Sequence, residues 1–150
     1  MKKVIALYGP SSVGKSTTLK VFADMVMSHF GTSATIEYLP DDNPKADIQR
    51  IITLNGVLKV GIESQGDPGG RLSNSLGLFV AADCDLIFCA TRTRGSTCHA
   101  VDALMAHNYH IDWVHQLANR TSTQQQTNSK KAADLLQRLI AIEQSLPQVV

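Results

Sequence analysis

The chain has no apolar run long enough to cross a bilayer as a helix, which argues against a spanning segment. It has no excess of one charge either. The formal net charge is +1 and charged residues make up 18% of the total, so nothing steers the whole surface toward nucleic acid or an anionic membrane. Its three cysteines, Cys84, Cys89 and Cys98, are odd in number and without C-x-x-C spacing, which excludes a disulfide framework and a cysteine-rich zinc module. They are expected to be reduced thiols of a cytoplasmic protein. The five histidines, His29, His99, His107, His110 and His115, form no H-x-x-x-H pair, and Cys98-His99 reads as a helix surface. Met1-Lys2-Lys3 resembles the basic start of a secretion signal, but the apolar run Val4–Leu7 stops at Tyr8-Gly9-Pro10, too early for a signal core. Internal repeats and linkers are missing as well, so a single domain over 1–150 is expected.

What is present is alternation, with 43% hydrophobic residues to fill a core. Lys3–Tyr8, Thr35–Leu39, Val57–Glu63, Asp85–Ala90 and Tyr109–His115 read as strands, the last at an edge. Between them, Ser16–Phe30 carries Leu19, Phe22, Val26 and Phe30 at helical spacing. Lys45–Leu54, Arg71–Ala82 and Ser96–His107 also read as helices, the last with Cys98, Val101, Leu104 and Met105 inward. Pro40–Pro44 must be a loop. The Thr- and Gln-rich patch Thr121–Asn128 is expected to be a loop or the frayed start of a final helix at about Lys130–Leu146. The leucine stripe of that helix (Leu135, Leu139, Ile142, Leu146) is core or, alternatively, a homodimer contact. Repeated strand–helix units predict an α/β class: a three-layer α/β/α sandwich with a mostly parallel sheet of about five strands.

The most specific feature is Gly9-Pro10-Ser11-Ser12-Val13-Gly14-Lys15-Ser16, which satisfies G-x-x-x-x-G-K-S/T at every fixed position. A buried strand precedes it and an amphipathic helix comes after, the setting in which the motif has meaning. Gly9 and Gly14 allow successive backbone amides to turn inward around phosphate oxygens. The helix start adds free N–H groups and the positive end of its dipole. Lys15 has the reach for the β- and γ-phosphates, the Ser16 hydroxyl suits Mg2+, and Thr17 is placed near the α-phosphate.

On these residues the chain resembles the P-loop NTPase superfamily, in the manner of a small nucleotide kinase or regulatory ATPase. The resemblance is carried by the first thirty residues, and the later alternation fits the same fold. It implies a nucleoside triphosphate as ligand, Mg2+ as cofactor, and an acidic residue after a neighbouring strand to order the metal shell. Asp67 is the first candidate and Glu63 the second. Asp67–Gly70 partly matches the D-x-x-G loop of GTPases, although Ser64-Gln65-Gly66 intervene after the strand. Gln65 is near enough in sequence to position a water. No N-K-x-D guanine-reading motif occurs, which favours ATP. Asp83 and Asp85 precede their strand and so belong at the opposite edge.

A second loop, Thr91–Thr97, joins a strand to a helix at the same expected edge. Arg92 and Arg94 there can stabilise charge on a phosphoryl group or bind an acceptor phosphate. Ser96 or Thr97 is the expected cap of the next helix. Arg71 is a third basic candidate. Asp41 and Asp42 read as a surface turn, or as acceptor contacts in a kinase, and the base is expected around Asn119-Arg120. Three functions are open: an ATP hydrolase in which water attacks the γ-phosphate, a phosphotransferase with an acceptor near Arg92 and Arg94, or a non-catalytic nucleotide-dependent module for a protein partner. The short connections leave little material for a kinase lid, which favours a hydrolase or a switch over a kinase.

Overall fold

Alternate residues of the first strand serve two different cores. A computed structural model describes residues 2–11, 13–116 and 124–146. In β1 (Lys3–Tyr8), Ile5 and Leu7 join one apolar cluster while Val4 and Ala6 join the other. The first cluster takes Leu19, Phe22 and Val26 from α1 (Lys15–Phe30) and Leu135 and Leu139 from α4 (Gln124–Ser145). The second takes Leu72, Leu76 and Phe79 from α2 (Leu72–Ala81) and Val101 from α3 (Ser96–Asp102). Helices therefore cover both faces of the sheet, as strands apolar on both sides require. Each fully buried side chain of this size contributes about 1.5–3 kcal/mol over its exposed state. The leucine stripe of α4 is spent on this core, against α1.

The remaining strands are β2 (Ala34–Tyr38), β3 (Gln49–Leu54), β4 (Leu58–Glu63), β5 (Leu86–Thr91) and β6 (His110–His115), in the order β2-β3-β4-β5-β1-β6. The fold is α/β, but the sheet is mixed and has six strands. β4, β5, β1 and β6 run parallel, whereas β3 is antiparallel to both of its neighbours. The residues expected to form a helix over 45–54 instead form a turn and β3. The reason lies just beyond them. Asn55 and Gly56 both take positive φ, at 55° and 67°, and Val57 N–H donates to Leu54 O at 3.0 Å. Asn-Gly with two positive φ values is the two-residue turn that twists correctly for a hairpin, and it reverses the chain into β4.

Two smaller expectations also change. Met105 is 60% exposed in a short 3-10 segment after α3 rather than inward. The Thr- and Gln-rich patch contributes ordered helix from Gln124 onward. No helix among the described residues is long and apolar enough to cross a membrane.

The direction of β3 decides which loops can meet. Parallel β1, β4 and β5 all deliver their carboxyl ends, and the loops after them, to one edge of the sheet. Because Gln49 at the start of β3 pairs with Glu63 at the end of β4, residues just before β3 reach that same edge.

Candidate functional site

The loop between β1 and α1 is held in shape by its own glycines and by the end of the chain. Gly14 has φ 87°, in the region that favours glycine, and a side chain there would also overlap the Asn128 amide. At Gly9 a Cβ would lie 2.5 Å from the Gln116 carbonyl oxygen. The Gln116 and Gln124 amides donate to Val13 O at 2.6 and 2.8 Å. Asn128, buried on α4, accepts from Thr18 Oγ1, Gln116 Nε2 and Gln124 Nε2 at 3.3, 3.1 and 2.9 Å. Sequence reasoning misses these three amides, because none belongs to a motif and nothing local announces that Gln116 and Asn128 are buried.

Lys15 opens α1 and folds back over the loop. It is 8% exposed, and its ammonium donates to Gly9 O at 2.8 Å and Pro10 O at 2.6 Å. Burial, and then the neighbouring Arg92 guanidinium, hold its pKa below the usual lysine value, against the opposing pull of Asp67. Ser16 is half-buried and Thr17 exposed on the first turn; Pro10 and Ser11 lie exposed on the loop, and Ser12 lies outside the described residues.

Ser16 has a partner that the motif does not nominate. Its hydroxyl donates to Asp47 Oδ1 at 2.7 Å, and Ser64 Oγ donates to the same oxygen at 2.8 Å while accepting from Ile48 N–H at 2.8 Å. Asp47 escapes a reading of the sequence because its segment has the pattern of a helix. The antiparallel β3 puts it at the carboxyl edge.

The two carboxylates expected near the metal sit differently. Glu63 is fully buried at the end of β4. Its oxygens accept from Arg71 Nε at 2.7 Å, Arg71 Nη2 at 3.1 Å, Ser75 Oγ at 2.5 Å and Gln65 N–H at 2.9 Å. Arg71 also reaches the Asp41 and Asp47 carbonyls at 2.6 and 2.9 Å, so it staples the 41–47 loop to the sheet edge. The Glu63 contact raises the Arg71 pKa further. Asp67 is exposed in a turn closed by Gly70 N–H to Asp67 O at 3.1 Å, and its carboxylate pairs with Arg92 Nη2 at 3.0 Å.

A cleft of about 230 Å³ brings together Ser11, Lys15, Ser16, Asp47, Gln65 and Asp67. A second, more open concavity of about 460 Å³ is lined by Pro10, Ser11, Arg92, Thr93 and Arg94. Arg92 Nε is buried without a partner among the described residues, as is Gln65 Oε1. Arg94 is exposed. Thr97 Oγ1 accepts from Arg92 N–H at 3.0 Å and so fixes that loop, while Gly95 takes the helix-capping position in place of Ser96 or Thr97. Asp42 is not a free surface acid: it accepts from Arg50 Nε at 2.9 Å and Gln49 N–H at 2.8 Å. Asp83 and Asp85 lie at the opposite edge, beside Lys2 and Lys59. The three cysteines are free thiols, and burial pushes Cys84 and Cys89 up to about 12. Asn119 and Arg120, expected near a base, lie outside the described residues.

Comparison with known proteins returned no matching family model, no matching curated protein and no matching solved structure.

Proposed function

We propose that this chain is a P-loop NTPase that binds the phosphates of ATP along Gly9–Ser16 together with Mg2+, and hydrolyses the γ-phosphate with water. One observation carries the reading. Lys15 is buried over the glycine loop with the Gly9 and Pro10 carbonyls as its partners, and among the described residues no carboxylate pairs with it. A buried ammonium with no carboxylate partner, over a glycine-rich loop at a helix N-terminus, leaves positive charge that a polyphosphate would fill.

The residues then divide by role. The loop amides and Lys15 hold the β- and γ-phosphates, and Arg92, with one guanidinium nitrogen already oriented by Asp67, meets charge that develops on the γ-phosphoryl group. Gln65, whose carbonyl oxygen lacks a partner among the described residues, is placed at the cleft to orient the attacking water. A hydroxyl and a carboxylate in one cleft fit the oxygen preference of Mg2+, with Ser16 and a neighbouring acid as its protein contacts. Bound there, Mg2+ would neutralise charge across the β- and γ-phosphate oxygens. The missing N-K-x-D motif favours ATP over GTP.

Calorimetry and thermal melting with ATP and Mg2+ test this. Saturation at a hundred times Kd should add about 2.7 kcal/mol of apparent stability. Lys15→Ala should abolish that gain and lower affinity at least about 100-fold, and a variant that still binds and turns over ATP overturns the site. A second reading, phosphoryl transfer, draws on the concavity beside Arg92 and Arg94. ATP consumption that depends on an added nucleoside monophosphate would select it over hydrolysis.

A further inference from the structure

We infer that Asp47 is the protein carboxylate of the divalent-cation shell, acting with Ser16, and that Glu63 is a positioning residue that holds Asp47 there through Arg71. The inference rests on the triphosphate reading above and names the part of that site which the motif leaves open.

Asp42 is paired with Arg50, and the counter-charges of the remaining three candidates, Asp47, Glu63 and Asp67, distinguish them. Glu63 is neutralised by Arg71 and Asp67 by Arg92. Asp47 accepts from two neutral hydroxyls, Ser16 and Ser64, and among the described residues its carboxylate has no cationic partner. Arg71 is close enough to feel the Asp47 charge, but it bonds the Asp47 carbonyl and spends its ion pair on Glu63. A half-buried carboxylate bonded by hydroxyls alone is the one of the three with charge to spare for a cation.

The geometry at Ser16 points the same way. A hydroxyl has one proton and two lone pairs. The Ser16 proton is committed to Asp47 Oδ1, so its lone pairs are left for a cation, and the same hydrogen bond places the carboxylate beside that cation. Mg2+ characteristically uses one or two protein carboxylates and fills its octahedron with water and substrate phosphate oxygens. One hydroxyl and one carboxylate facing a phosphate loop fit that demand. Glu63 does not, because its oxygens already accept four hydrogen bonds. Its contribution is indirect: Glu63 holds Arg71, and Arg71 holds the backbone of Asp41 and Asp47.

The test compares affinity for a non-hydrolysable ATP analogue with and without Mg2+, by calorimetry. Wild type should gain at least about tenfold on adding Mg2+, which neutralises phosphate charge at the site. Asp47→Asn, nearly isosteric, should lose most of that gain while keeping its Mg2+-free affinity within about threefold. Asp47→Glu should recover part of it and Asp67→Asn should retain it. A Mg2+ gain that survives Asp47→Asn intact, or that is lost in Asp67→Asn instead, overturns the inference while leaving the triphosphate site standing. Wild-type protein that binds no triphosphate under either condition overturns both.

Should Asp47→Asn fail to fold, Mn2+ electron–nuclear double resonance on the wild-type complex replaces it. Carbon-13 coupling from carboxyl-labelled aspartate, persisting in Asp67→Asn, supports the assignment. Coupling from labelled glutamate alone overturns it.

Discussion

Two arginines lie at the same edge of the sheet, in opposite conditions. Arg71 is saturated: its three nitrogens reach the Glu63 carboxylate and two loop carbonyls. Arg92 is only partly used, with one nitrogen on the exposed Asp67 and its buried Nε without a partner among the described residues. Burying a charge is costly unless it is paired and fully hydrogen-bonded. A saturated arginine is therefore a structural bolt, and one left incomplete beside a phosphate-type loop is available to a ligand. The contrast separates the part of this edge that keeps its shape from the part left open.

The comparison can be broken most forcefully at Arg71. Arg71→Met leaves the buried Glu63 carboxyl without its cationic partner, so a loss of about 3–5 kcal/mol is expected in urea unfolding. A loss below about 1 kcal/mol would mean that the pair is not the bolt described. Arg92→Ala should be the reverse case: stability within about 0.5 kcal/mol, ATP affinity changed by less than tenfold, and turnover reduced by roughly 100-fold or more, as for an arginine that meets transition-state charge. Equal loss of kcat and stability would erase the distinction between the two residues. The smallest effect is expected at Asn128, which braces the loop from α4. Asn128→Ala should cost about 1–2 kcal/mol, because the Gln116 and Gln124 amides and the Thr18 hydroxyl lose an acceptor in a buried place. Faster amide exchange confined to residues near Val13 and Gly14 would confirm that route.

Much of the frame is legible without coordinates. β1, α1, β4, α2 and β5 emerge from continuous apolar runs and helical periodicity, because each is decided by burial of neighbouring residues. β3 is easily misread because Ile51, Ile52 and Leu54 fit a short helical pattern as well as a strand. The Asn55-Gly56 turn just after them is the local signal that settles it. The amides of Gln116, Gln124 and Asn128 carry no such signal, since a polar residue is buried only when distant partners accept its hydrogen bonds.

The glycine loop is legible in the chain alone, because its glycines and lysine are contiguous between a strand and a helix, although the Gln116 and Gln124 amides that brace it come from elsewhere. Which acid stands beside Ser16 was decided only by the tertiary structure. Asp47, Glu63 and Asp67 come from different segments, and the reversed direction of β3 together with the Arg71 staple sets their order at the sheet edge. The Asn55-Gly56 turn announces the reversal, but which side chains meet at the edge is fixed only when the strands pair.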